Sequence, residues 1–137
     1  MPDTQQKLVL IIDSSLEIGL AANTAAVLTL SVGAQHPELI GEDLIDGSDQ
    51  AHIGITNIPI PVLSADGATL TNLVQKLSGT DIELVSFSKI AQSIHSYEEY
   101  ASKLKATPGE QIEYSGITLY GSQKAVNSLV GSLPRLK

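Results

Sequence analysis

The sequence predicts an α/β fold: a four-stranded, mostly parallel sheet with helices on both faces. Three observations predict it. Lys7 to Ile12 is an unbroken apolar run rich in β-branched residues that stops at Asp13-Ser14-Ser15, the pattern of a strand buried on both faces. Segments of strand and helix character then alternate, four of each, as in layered α/β domains. The chain has 137 residues, 42% of them hydrophobic, which suits one core. Residues 1–137 are therefore expected to form a single domain, with residues 1–6 a flexible lead.

The second element is a helix from Glu17 to Ala34, free of proline and dominated by Ala and Leu, with Glu17 at its positive end. It is apolar on nearly every side, so it is expected to be buried between layers or beneath a second copy of the chain. Gln35-His36-Pro37 ends it, because a residue preceding proline avoids helical angles. Glu38 to Asn57 is rich in Gly and Asp and reads as an irregular excursion with a short edge strand, placed to fold over a site as a lid. Ile58 to Leu63 is the second strand, its first half kept at an edge or unpaired by Pro59 and Pro61.

Thr69 to Leu77 repeats Leu and Val at helical spacing and closes at Gly79. Ile82 to Phe87 alternates as a third strand. Ser96 with Glu99 forms a capping box for a helix to Lys105, which Pro108-Gly109 breaks. Ile117 to Tyr120 is the fourth strand, and Gln123 to Leu133 the closing helix.

Charge and composition exclude several function classes. The net charge is -7, with only eight Lys and Arg, so neither nucleic acid nor an anionic membrane surface is an expected partner. With no cysteine there are no disulfides or thiolate metal sites. No metal or cofactor is expected: there is no His-x-x-x-His pattern, phosphate loop or dinucleotide fingerprint. No charged n-region followed by an apolar h-region opens the sequence, and the stretch from Ile18 to Val32 reads as too short and too polar to span a bilayer, so a cytoplasmic location is expected.

If the strands run parallel, their carboxyl ends bring Asp13, Ser14, Ser15, Ser64, Asp66, Ser86, Ser88 and Lys89 to one edge, where open α/β sheets bind ligands. That arrangement suits a small-molecule site in which Asp13 orients or deprotonates a polar group while the hydroxyls and Asn23 hydrogen-bond the ligand. Taken singly, each Asp or Ser is also explained as a cap of the following helix. Asn23 could equally bond a neighbouring backbone group. His52, on the excursion, is the best general acid or base among the three histidines and pairs with Asp13 in an enzymatic alternative. A third reading makes the apolar helix the interface of a homodimer.

Lys7 to Ile12, Gly19-Leu20-Ala21-Ala22-Asn23, and Leu119-Tyr120-Gly121 running on to Gly131-Ser132-Leu133-Pro134-Arg135-Leu136 resemble the peptidyl-tRNA hydrolase type II fold. Within it, the chain is more similar to a small bacterial family, domain of unknown function 2000. That resemblance rests on His52 with Gly54, Pro59-Ile60-Pro61-Val62-Leu63, Tyr97-Glu98-Glu99-Tyr100, Tyr114-Ser115-Gly116-Ile117 and Lys124-Ala125-Val126-Asn127, in that order over most of the chain. The resemblance implies the hydrolase fold but not its activity. Gly19 stands where the hydrolase carries its catalytic lysine, Ser86-Phe87-Ser88 replaces its Asp-Ala-Gly, and its Thr-Gln motif has no counterpart before Tyr114. No peptidyl-tRNA hydrolase activity is therefore expected. Whether Lys89 reaches across to replace the missing cation is a question for the fold.

Overall fold

The computed structural model describes residues 5–137. Four of the six residues expected as a flexible lead lie outside that range, and Gln6 already opens the first strand. The elements in chain order are β1 (Gln6–Asp13), α1 (Ile18–Gln35), β2 (Leu44–Ile45), β3 (Ala51–His52), β4 (Val62–Ala65), α2 (Gly67–Leu77), β5 (Glu83–Ser88), α3 (Lys89–Gln92), α4 (Tyr97–Ala106), β6 (Tyr114–Ser122) and α5 (Gln123–Val130). Short 3-10 turns follow α1 at Pro37–Leu39 and α4 at Gly109–Gln111.

The four-stranded sheet has the order β4-β1-β6-β5. The expectation of a mostly parallel sheet is overturned: β1 pairs with β4 in parallel, but β6 runs antiparallel to both β1 and β5. The reason lies between β5 and β6. A single crossover helix would have returned the chain to the opposite edge, whereas two helices, α3 and α4, lead out and back, so β6 starts beside the end of β5, with Tyr114 opposite Ser88. Even so, β1, β4 and β5 all point the same way, and their carboxyl ends share one edge.

Helices cover both faces of the sheet. Alternation along β1 puts Leu8, Leu10 and Ile12 toward α1, where they meet Val32, Leu28 and Ala21. Val9 and Ile11 point the other way, against Leu70, Leu73 and Leu77 of α2 and Val126 and Val130 of α5. These five β1 side chains are buried on both faces, contributing roughly 10 kcal/mol of gross hydrophobic stabilisation. Gly116 on β6 lets α1 approach closely: a Cβ there would stand 2.7 Å from Thr24 Cγ2 and 3.0 Å from the Ile11 carbonyl oxygen.

Two further expectations are corrected here. Of the two kinds of burial expected for α1, that between layers is not found: Ala21, Thr24, Leu28 and Val32 pack on the sheet, while its outer side stays open among the described residues. It has the expected length, shifted by one residue. Against the expectation that Ile18 to Val32 is too short and too polar to span a bilayer, its 18 residues are long and apolar enough to cross a membrane by length and composition, with 22% of that window buried against the rest of the chain. The excursion is not irregular either. From Ile40, bridged to Thr56, through β2 and β3 it forms an antiparallel arm. At its tip Asp46 Oδ1 accepts hydrogen bonds from the Ser48 and Gln50 amides. Gly54 is obligatory in the arm, since a Cβ would meet the Gly41 carbonyl oxygen at 1.8 Å.

Candidate functional site

β1 ends at Asp13 because the apolar run gives way to three polar residues, and this carboxylate is buried, 5% exposed. Its Oδ1 accepts hydrogen bonds from the Ser15 amide and hydroxyl, both at 2.9 Å, which folds the turn leading into α1. Its Oδ2 accepts from Lys89 Nζ at 2.5 Å. Lys89 is the first residue of α3, whose N-cap is Ser88 at the end of β5, with the Ser88 hydroxyl accepting from the Ala91 amide at 3.2 Å. Thus a cation from one strand end and a carboxylate from another meet across β6.

Burial alone pushes the Asp13 carboxyl up, but the Lys89 ammonium and the two Ser15 donors together outweigh it and hold the group below the usual carboxylate range. Asp13 is therefore ionised at neutral pH. The pair borders a cavity of about 250 Å³ lined also by Gly67, Ala68, Thr71, Glu113 and Tyr114. The Lys89 amide donates to the Glu113 carbonyl at 2.8 Å, fixing the start of α3 against the strand that enters β6. Burial, and then the neighbouring Tyr100, push the Tyr114 phenol up, so it keeps its proton and can donate. An ammonium has three donors, of which Asp13 takes one, leaving Lys89 able to meet an acceptor on a molecule in the cavity.

Several residues expected at this edge do reach it, in capping or structural roles. Asp66 is the N-cap of α2, accepting from the Thr69 amide at 2.8 Å. The Thr69 amide and hydroxyl hold its carboxyl low, against burial and the like charge of Asp13. Ser64 is buried in β4, and its amide donates to the Pro134 carbonyl at 2.8 Å. Ser14 is exposed, and its amide donates to Ala65 at 2.9 Å.

His52 and Asn23 are not brought to the cavity. His52 is exposed on the arm and bonds Asp46 Oδ2 at 2.7 Å. That arm is rooted beyond the C-terminal end of α1, whereas Asp13 lies before its N-terminal end, so the expected lid over the cleft and the pairing of Asp13 with His52 are corrected. Asn23 is exposed on the outer side of α1 rather than buried. Its neighbour Thr24 is the buried polar residue, donating to the Leu20 carbonyl at 2.8 Å and accepting from Gln92 Nε2 at 2.9 Å. Gln92 Oε1 in turn accepts from the Ser115 hydroxyl at 2.7 Å, tying α1, α3 and β6 together beside the site.

Sequence reasoning missed Glu113, Tyr114 and Thr71 as cavity residues. A strand start opposite a strand end was the signal, and it required knowing that β6 is antiparallel. Among the described residues no group of three or more His, Asp or Glu side chains is placed to hold a metal ion.

Comparison with known proteins agrees with this architecture. Residues 6–137 match the family described as Protein of unknown function (DUF2000), and the chain belongs to that family. The solved structure of a protein of unknown function from Agrobacterium tumefaciens strain C58 is similar in fold over 100% of both chains, with a TM-score of 0.88 at 20% sequence identity. No functionally curated protein matches the chain.

Proposed function

We propose that this chain is a cytoplasmic small-ligand binding protein whose site is the strand-end cavity, and that it lacks peptidyl-tRNA hydrolase activity. The observation that carries the reading is the Asp13–Lys89 ion pair bordering a cavity of about 250 Å³. Buried charge is costly to maintain, and partial exposure of the ammonium leaves donors free toward the cavity. One ammonium, a carboxylate on Glu113 and the Tyr114 phenol favour a polar molecule of few heavy atoms that offers both an acceptor and a donor, such as an amide or a small zwitterion. Thermal-shift screening with such compounds tests it: a binding compound raises the melting temperature of the native chain, and Lys89→Met abolishes that shift. Compounds that stabilise the Lys89→Met variant as strongly as the parent would place the ligand elsewhere.

A second reading rests on the same pair. In it the chain keeps a peptidyl-tRNA hydrolase type II-like fold, and Lys89 supplies from β5 the cation that Gly19 lacks, so that Asp13 and Lys89, rather than Asp13 and His52, act on an ester or amide smaller than a tRNA conjugate. Hydrolysis of small activated esters that disappears in both Asp13→Asn and Lys89→Met favours it, and equal rates in parent and variants eliminate it.

A further inference from the structure

Nine of the ten large hydrophobic side chains left exposed among the described residues lie on α1 or on the β2–β3 arm, so the unburied apolar surface is concentrated in two places. On α1, Ile18, Ala22, Ala26, Leu30 and Ala34 follow at four-residue spacing, all exposed, with Ile18 at 90% and Leu30 at 78%. No charged side chain occurs in that helix. On the arm, Ile40 opposite Thr56, Leu44 opposite His52 and Ile45 opposite Ala51 keep one register. Side chains alternate across such a ribbon, so Ile45, Ala51, Ile53 and Ile55 share one face, while Leu44 and His52 share the other. Asp43 falls on the first face, but its Oδ1 is engaged by the Gly54 amide at 2.8 Å.

A lone two-stranded ribbon is at best marginally stable in water, and every residue from 42 to 53 is exposed, so nothing among the described residues covers that face. We propose that a second copy of this chain does: the arm of each copy lies, apolar face down, on the outer side of α1 of the other, and the contact is made twice about a two-fold axis. The area suffices. The exposed aliphatic residues of α1 and the arm present on the order of 1,000 Å² per copy, against the roughly 800 Å² each partner buries in an ordinary stable complex. Charge also selects this occupant. The chain carries a net charge of -7, so most of its surface repels a second copy, but on the charge-free α1 the arm acids Glu42, Asp43, Asp46 and Asp49 meet no like charge. Those same four carboxylates oppose docking on an anionic bilayer.

The test is the mass in solution, by light scattering and sedimentation at micromolar concentration, of the full chain and of two surface variants, Leu30→Lys on α1 and Ile53→Asp on the arm. The parent is expected at twice its 14.4 kDa. Each variant alone is expected to be monomeric, with self-association about a hundredfold weaker, because it forces a charged side chain into the apolar contact. Circular dichroism should show both folded, since neither side chain is in the core. Mixing the two variants should restore a dimer, because a heterodimer has one contact of the original kind and one in which the lysine meets the aspartate. A monomeric parent, including one that instead binds neutral lipid vesicles, overturns the proposal. So does a variant that dimerises like the parent, and failure of the mixture to reassociate overturns the pairing of arm with helix.

Discussion

Replacing Lys89 with methionine isolates the Asp13 interaction, because the thioether keeps most of the aliphatic stem and removes only the ammonium. What remains is a carboxylate that is 5% exposed and still accepts two hydrogen bonds from Ser15. Stripping one partner from a fully buried pair costs about 3–5 kcal/mol. Lys89 is a third exposed and Asp13 retains two of its three partners, so the expected loss is smaller, about 2 kcal/mol. For a chain of this size that corresponds to a melting temperature lower by roughly 6–10 °C. The pH dependence carries the sign. Lys89 helps hold the Asp13 carboxyl below its ordinary value, so the stability it confers is present above the ordinary carboxylate pKa of 3.8 and is lost as pH falls through the lowered folded value. Urea unfolding followed by circular dichroism should therefore show a large difference between parent and variant at pH 7 that narrows below pH 3.8. A variant within about 0.5 kcal/mol of the parent at pH 7 would mean that the ammonium does not hold the carboxylate, and the site reading would go with it.

Three other outcomes are expected. Gly116→Ala should destabilise by about 1–3 kcal/mol in the same urea assay, since its Cβ would press on Thr24 and the Ile11 backbone; an unchanged midpoint would show that α1 can lift without cost. The His36 imidazole is raised above 6.5 by the hydrogen bond to Glu83, against burial and with help from Glu38, so its stabilising contribution is complete below pH 6.5 and fades as pH rises through the raised value; a melting-temperature profile should show that decline in the parent and not in His36→Gln. Turnover of a standard peptidyl-tRNA substrate should stay at background, and a rate well above it would contradict the reading drawn from Gly19.

The strands and helices that local pattern controls were readable. Lys7 to Asp13 has the unbroken apolar run of a doubly buried strand, and it is one. Ser96 caps α4 through the Glu99 amide, and Gly79, at φ 81°, follows the end of α2 as its position after Leu77 suggests. What could not be read was set by distance along the chain. α3 has only four residues, too few to show a period, and that missed turn reversed the inferred direction of β6. The arm likewise depends on cross-strand pairing of two-residue strands, for which no local signal exists beyond the Gly and Asp punctuation.

That one misread connection explains both what survived and what was missed at the site. Reversing β6 leaves the directions of β1, β4 and β5 untouched, so Asp13, Ser64, Asp66, Ser88 and Lys89 still come to the same edge as in a parallel sheet. The reversal adds something a parallel strand could not. It brings the beginning of β6, with Glu113 and Tyr114, to the edge where the others end, and so closes the side of the cavity that the parallel arrangement would leave open. Lys89 depends on the same feature, because the turn that starts α3 is pinned to the Glu113 carbonyl. The cation facing Asp13 is thus a product of the antiparallel return.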